Sequence, residues 1–355
     1  MRATLTLTLL LALLAGGGCS RRKRLPPVGE GFVAPISLNV RQDLAPRSSI
    51  VASLKHGERL DILVHRRRFV KVRTAADAEG WVDSRQLMST QGMQRLRRFH
   101  SWAKRLPSQG KATPLDLLNV HIDPNRYAPS FSQISPEGTG EVLLRMVTRR
   151  GAYVPDGAPS PPPPGPHDVK DDWTLVRLSD GRSGWALSRM MTMNLPESVG
   201  MFAQGHRITS FHQLGSVKDR NRRQVSNYLW TTSSAPPEGF NFDRFRVTVW
   251  NTRNRRFETA HIESNIRGFY PVTVHTKPED PVQRFTLNYA EGSGPVYERT
   301  FAMDGRKLTP LEKKPWRAPL LEPDESDTMI AEAEDQQEKS VWDKAREKVK
   351  GWTGR

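Results

Sequence analysis

The chain opens on thirteen uncharged, mostly apolar residues, Ala3 to Ala15, and nothing downstream repeats a run of that kind. Beyond it the apolar runs are short and alternate with polar residues. Val70 and Val72 alternate with Phe69, Lys71 and Arg73. Phe245, Val247 and Val249 alternate with Arg244, Arg246 and Thr248, and Phe285, Leu287 and Tyr289 with Arg284, Thr286 and Asn288. Successive strand side chains point to opposite faces, so each segment predicts a strand with one buried side. Turn residues punctuate these runs, at Asp180-Gly181 and at Gly292-Ser293-Gly294-Pro295. Two stretches run at helical period instead. Met93, Leu96, Phe99, Trp102, Ala103 and Leu106 gather on one face of a helix over 92–106, with Arg97, Arg98, Lys104 and Arg105 opposite. Such a helix either lies on a membrane surface or links two modules by packing on one of them. Trp342, Ala345, Val349 and Trp352 repeat likewise near the end, among Lys344, Arg346, Lys348 and Lys350. Their pattern predicts a docking helix or a frayed tail. Just before them, residues 321–338 carry eight acidic and no basic side chains, which predicts a disordered or solvated segment.

One pattern occurs twice. Phe69-Val70-Lys71-Val72-Arg73 is followed by Glu79-Gly80-Trp81-Val82-Asp83-Ser84-Arg85-Gln86-Leu87. Trp173-Thr174-Leu175-Val176-Arg177 is followed by Ser183-Gly184-Trp185-Ala186-Leu187-Ser188-Arg189-Met190-Met191. In both, an aromatic leads the Gly-Trp tryptophan by 12 residues, and an arginine and a Ser-Arg pair fall at matching offsets. A repeat of this kind predicts two copies of one supersecondary unit. Each reads as a strand, a turn and a return strand opened by Gly-Trp. The glycine permits close backbone approach, and the tryptophan supplies buried area to a module too small for much other core.

With Leu38-Asn39-Val40-Arg41 as opening strand, Leu54-Lys55-His56-Gly57-Glu58 as a turn and Leu60-Asp61-Ile62-Leu63-Val64 beyond it, this pattern resembles the bacterial SH3 domain. The resemblance implies small β-barrels over 32–90 and 115–194, the second opening near Leu117-Leu118-Asn119-Val120 and carrying an insertion, Val154 to Pro166, with Pro161 to Pro164 in a row. Phe69 stands where that family more often has tryptophan. The expected fold class is mainly β: two SH3-like barrels, an antiparallel sandwich-like domain over 205–310, a linker over 91–114, and a partly disordered tail over 311–355. The resemblance also implies recognition of peptidoglycan or of an envelope protein. The residues that would carry it are Arg41, Phe69, Arg73 and Trp81 in the first copy and Trp173, Arg177 and Trp185 in the second. Aromatic rings offer stacking platforms, and arginine pairs bidentately with carboxylates such as those of wall peptides. The opposing expectation is that both tryptophans are core and the arginines merely solvate outer strand faces.

The start of the chain sets its compartment. Arg2, the run to Ala15, then Gly16-Gly17-Gly18 and Cys19 have the parts of a secretory signal, with small residues before the cut. This resembles the signal of bacterial lipoproteins over 1–18, with Cys19 as the lipid-bearing N-terminus and 19–31 as a basic tether. Leu14 lies five residues before the cysteine, where that family's box has three, and Arg21, Arg22, Lys23 and Arg24 follow at once, a run that favours the cytoplasmic side. Ser20 is not the aspartate that holds many lipoproteins at the inner membrane, so the resemblance implies an outer-membrane anchor facing the periplasm. With 54 Lys and Arg against 38 Asp and Glu, the chain carries +16. Charge of that sign suits anionic lipid, wall polymer or nucleic acid, and export removes the last.

Recognisable catalytic chemistry is sparse. Cys19 is the sole cysteine, so lipidation leaves no thiol for a disulfide, a metal or the Cys-His chemistry of wall peptidases. There is no Gly-x-Ser-x-Gly, no His-Glu-x-x-His and no Walker loop. His206 and His212 lie six apart, a spacing unsuited to common metal sites, and Asp171-Asp172 read as residues at the start of a strand. The expectation is a non-catalytic envelope lipoprotein with no cofactor and no metal. Its alternatives are an assembly scaffold acting through the third domain and tail, and a wall hydrolase.

Overall fold

The computed structural model describes residues 24–45, 47–154, 169–234, 239–318 and 325–353. The signal, Cys19, Arg21 to Lys23 and Pro161 to Pro164 lie outside the described residues. The chain is mainly antiparallel β, in three seven-stranded sheets.

The first sheet contains β1 (Gly29–Val33), β2 (Ser37–Arg41), β3 (Ile50–Lys55), β4 (Arg59–Arg66), β5 (Phe69–Arg73), β6 (Glu79–Asp83) and β7 (Leu87–Met88), in the order β3-β2-β6-β5-β4-β1-β7. The second contains β8 (Lys111–Pro114), β9 (Leu118–His121), β10 (Ser130–Ile134), β11 (Gly140–Arg149), β12 (Lys170–Arg177), β13 (Ser183–Leu187) and β14 (Met191–Met193), in the order β10-β9-β13-β12-β11-β8-β14. Strand for strand the two orders are the same. The bulges coincide as well, between Ile62 and Val64 in β4 and between Val142 and Leu144 in β11. Each module therefore starts one strand earlier than Leu38 or Leu118, and β8 lies within the stretch read as linker.

The Gly-Trp pair has a geometric cause. Trp81 is the residue at which β6 joins β2, opposite Arg41, and Trp185 joins β13 to β9 opposite His121. A Cβ on Gly80 would sit 2.5 Å from the Arg41 carbonyl oxygen and 2.7 Å from a Val40 methyl. A Cβ on Gly184 would meet Phe131 at 2.4 Å, Val120 at 2.7 Å and the His121 carbonyl at 2.8 Å. Glycine is what lets the opening strand close onto the return strand in both copies.

The first module is filled by Leu38, Val40, Leu54, Leu60, Val70, Val72 and Val82. The helix expected between the copies is α1 (Thr90–Arg105), whose start is capped by the Ser89 hydroxyl accepting from the Gly92 N–H at 3.0 Å. Its first half contributes Met93 and Leu96 to a core shared by Phe32 of the first module and the second module's interior. Its second half lays Trp102 and Ala103 over Leu143, Trp173, Leu175 and Trp185. So α1 is a packed linker wedged between the modules.

The third sheet runs β15 (Arg207–Lys218), β16 (Gln224–Ser233), β17 (Phe242–Asn251), β18 (Arg256–Val274), β19 (Val282–Glu291), β20 (Tyr297–Asp304) and β21 (Lys307–Pro315) in sequence order, one continuous meander in place of two facing sheets. Leu214 of β15 shares a core with Phe245, Phe285, Phe301 and Met303, so the sheet curls around its own inner face. Gln109, fully buried, ties it to the second module: its side chain accepts from the Val272 N–H at 2.8 Å and its carbonyl from the Phe211 N–H at 2.9 Å.

In the tail, the helical spacing that includes Trp342 and Ala345 lies within one helix, α2 (Glu325–Thr353), and that helix extends back through residues 325–338 of the acidic run. Its acidic half meets the basic face of α1, where Arg97 donates to Asp335 at 2.7 Å and also to Glu338, and Trp342 is buried. Acid near the helix start and base near its end also complement the helix dipole. The side chains of Val349 and Trp352 lie outside the described residues.

Candidate functional site

Cross-strand partners share a face, so the register aligns the two modules residue by residue. In the first, Val64, Lys71, Trp81 and Arg41 form one row across the outer face, and Arg66, Phe69 and Asp83 the next. In the second, the matching rows are Leu144, Leu175, Trp185 and His121, then Met146, Trp173 and Leu187.

The second face is closed. Trp173 is 0 % exposed and Trp185 5 %, both beneath α1. Arg177 is not a ligand arm but a helix cap: it donates to the carbonyls of Ala103 at 2.9 Å, Lys104 at 3.2 Å and Leu106 at 2.7 Å, and pairs with Glu141 at 2.8 Å. The second copy's candidate residues Trp173, Arg177 and Trp185 are thus covered or engaged by the chain's own helix, as the opposing expectation of core tryptophans has it.

The first face is open. Phe69 and Trp81 are half-buried, and among the described residues no helix packs across them. The two arginines expected to flank them are engaged. Arg73 is buried, pairs with Glu79 at 2.7 Å and donates to the Leu25 carbonyl at 3.0 Å. It holds the segment preceding its module just as Arg177 holds the end of α1. Arg41 donates to the Ser48 carbonyl at 2.7 Å and props the loop after β2. Partial burial alone would raise the Glu79 carboxyl, but hydrogen bonds from Lys71 and Arg73 outweigh it and hold Glu79 below its ordinary value. Two exposed cations lie nearby: Arg66 on the face itself, and Arg68, which pairs with Asp83 at 3.1 Å and whose guanidinium lies 5.0 Å from the Phe69 ring centroid.

From this face the surface continues into a cleft between the modules. Asp83, opposite Phe69, borders a wide depression that also meets Arg85, Tyr127, Arg150 and Tyr153. That depression opens into a cleft of about 320 Å³ floored by Leu96, Phe99, Ile122 and Trp185, with Arg85 and Arg95 at its rim. The Phe99 and Trp185 rings lie 6.4 Å apart, their planes inclined by 29°. Behind the rim, Arg126 and Arg150 each grip Asp171 with two hydrogen bonds of 2.7–3.0 Å. Desolvation pushes the Asp171 carboxyl up, and the hydrogen bonds from Arg150 and Arg126, with their charges, prevail and hold it well below the usual carboxylate range. Asp171 is thus a structural anchor and not a general acid. Among the described residues no three His, Cys, Asp or Glu side chains converge as a metal site, and no helix is long and apolar enough to cross a membrane.

The surface therefore offers rings for stacking, while of its guanidinium groups Arg68 and Arg85 share Asp83 and Arg150 holds Asp171, and Arg66 is exposed on the face. Phe69, Trp81 and Trp185 were legible in the repeat. Phe99, Tyr127, Arg150 and Tyr153 were not, because they come from separate elements and share no spacing. The one signal that bears on them, the apolar face of α1, marked Phe99 only as core.

No protein-family model matches the chain, and no curated protein matches it. Among solved structures, one similar chain is an NlpC/P60 family protein from Bacillus cereus ATCC 10987, at 10 % identity and a TM-score of 0.20, covering 65 % of this chain and 93 % of that one. NlpC2 and NlpC1 from Trichomonas vaginalis match at 9 % and 10 % identity, each with a TM-score of 0.17 and 84 % of this chain covered, along 100 % and 96 % of their own lengths. Likenesses of that order assign neither fold nor activity.

Proposed function

We propose that this protein is an envelope lipoprotein, anchored by lipid on Cys19 to the outer membrane and facing the periplasm, which binds the cell wall or an envelope protein without catalysing a reaction. The two repeated modules are, in this proposal, bacterial SH3-like, and the first of them carries recognition. The observation that supports this is the asymmetry between the copies: Phe69 and Trp81 stay open on a basic face that leads into the inter-module cleft, while their counterparts lie under α1. Peptidoglycan presents flat sugar faces and peptide carboxylates, which suit rings and guanidinium groups respectively.

The test is co-sedimentation with purified wall sacculi at low and moderate salt. Wild type should sediment, salt should weaken it, and Phe69→Ala with Trp81→Ala should reduce binding roughly tenfold, a loss of about 1.4 kcal/mol. Failure of wild type to sediment removes wall recognition and leaves the protein-partner form of the proposal, tested by pull-down from envelope lysate. Muropeptide release from the same sacculi would replace binding with hydrolysis. Fractionation of Cys19→Ala checks the anchor: an unchanged membrane fraction with an unchanged N-terminal mass removes lipidation.

A further inference from the structure

A second groove lies away from the surface just described, between the outer face of the third sheet and the end of α1. It measures about 580 Å³. One wall is apolar, from Leu106, Pro107, Leu143 and Leu144. The floor is a polar lattice set by strand register. Thr273, Thr286, Thr300 and Glu312 form one row, and Asn288, Glu298 and Lys314 the next. Trp316 closes one end, its ring 5.2 Å from that of Phe269.

Asn288 is the informative residue. It is only 2 % exposed and lines the groove, yet its Oδ1 has no hydrogen-bond partner. Its orientation is settled by the other end of the amide, since Nδ2 donates to the Pro271 carbonyl at 2.8 Å. A flipped amide would set two acceptors against each other. The orphan is therefore an acceptor, and an unmet buried acceptor is costly enough that such atoms are rare in folded proteins. Beside it, the hydroxyls are already chained together. His275 Nε2 meets Thr286 Oγ1 at 2.6 Å, and Thr286 Oγ1 meets Thr300 Oγ1 at 3.1 Å. Glu298 pairs with Lys314 at 2.7 Å, and Glu312 and Arg317 add one charge of each sign.

We infer that this groove is a binding site for a neutral oligosaccharide. The orphaned Asn288 Oδ1 requires a donor, and the two carboxylates offer further acceptors, so the ligand must be rich in O–H or N–H groups. The balanced charges disfavour an ion. A flat aromatic ring at the end of a row of hydroxyls and carboxylates suits a sugar, which has an apolar face and a polar rim. None of the residues lining the groove belongs to the first module.

The experiment uses the full chain with two uncharged probes, cellotetraose and chitotetraose. They differ in presenting a hydroxyl or an acetamido N–H at each 2-position. Binding is read by isothermal titration and by saturation-transfer NMR. At least one tetrasaccharide should bind wild type. Trp316→Ala, a half-exposed residue beyond the last strand, should weaken binding roughly tenfold, and Asn288→Leu should do so as well, because a site built to accept a donor discriminates strongly against its loss. Trp81→Ala removes only what binds at the first module's face and should leave the Trp316-dependent binding in place. The inference is overturned if neither tetrasaccharide binds at millimolar concentration, if Trp316→Ala binds as wild type does, or if Trp81→Ala alone abolishes binding. Circular dichroism checks each variant. Should Asn288→Leu fail to fold, Trp316→Ala decides.

Discussion

The two modules have one strand order and two different outer surfaces. At matching positions the second has Leu175, Met146 and Leu187 where the first has Lys71, Arg66 and Asp83. Those exchanges convert a dry face that receives α1 into a wet one that does not. A topology can thus be duplicated while its face is reassigned, because the inner residues decide the sheet and the outer ones decide what covers it. The first copy is left with half-open rings, and the second with a helix sealed by Arg177.

The sharpest way to break this comparison is to truncate matching aromatics. Trp173→Ala removes a fully buried ring and should destabilise the protein by about 3–5 kcal/mol. Phe69→Ala, at the matching position on the open face, should cost about 1 kcal/mol. Urea unfolding measures both. Equal costs would mean that the first face is covered in solution.

Next comes a pair that should not differ. Gly80→Ala and Gly184→Ala each drive a Cβ to within 3 Å of a backbone carbonyl on the neighbouring strand. Both should cost about 1–3 kcal/mol by overpacking. Thermal melts showing one of them neutral would deny that the Gly-Trp pair does the same job in both copies.

The two arginines separate the modules again. Arg177→Ala uncaps α1 and should cost about 2 kcal/mol, with faster hydrogen exchange in the last turn of α1. Arg73→Ala should cost about 1 kcal/mol and speed exchange only around residues 24–28 and in β5 and β6. Loss of protection in α1 from Arg73→Ala would contradict these assignments.

The smallest effect concerns the seam between the modules. His56 of the first, His100 of α1 and Arg182 of the second surround the Phe131 ring at 5.2–5.7 Å. Burial, then the charges of His56, Arg182 and Lys104, lower His100 to about 3, while Asp180 is engaged by Arg182. Between the free imidazole value near 6.5 and about 3, the unfolded chain takes up a proton that the folded chain refuses. Stability should therefore fall as pH falls through that window and show no His100 effect above it. His212, lowered to about 4 by burial in the third sheet, adds a slope of the same sign. Melting temperatures from about pH 7.5 to 4.5 for wild type and His100→Gln isolate the seam: the variant should show the flatter profile, and identical profiles would rule out a contribution from His100.

Much of the architecture was legible in the chain. Period-two runs located β5, β17 and β19, the repeat announced two like modules, and the helical face of α1 was readable because its apolar stripe is broad. These are local signals, in which a residue's neighbours along the chain report its environment. The third sheet's connectivity was not legible, since alternation identifies strands without naming their partners. Nor was the tail: its acidic run reads as solvated until the basic face of α1 is set beside it, and Arg97 is more than 230 residues away from Asp335 and Glu338. Site residues divide along the same line. The sequence alone determined that Phe69, Trp81, Trp173 and Trp185 occupy equivalent places. Only the tertiary structure decided that the first pair is open and the second enclosed, and that Asn288 is left without a donor, because coverage depends on which distant segment packs on a face, and adjacent residues carry no record of that.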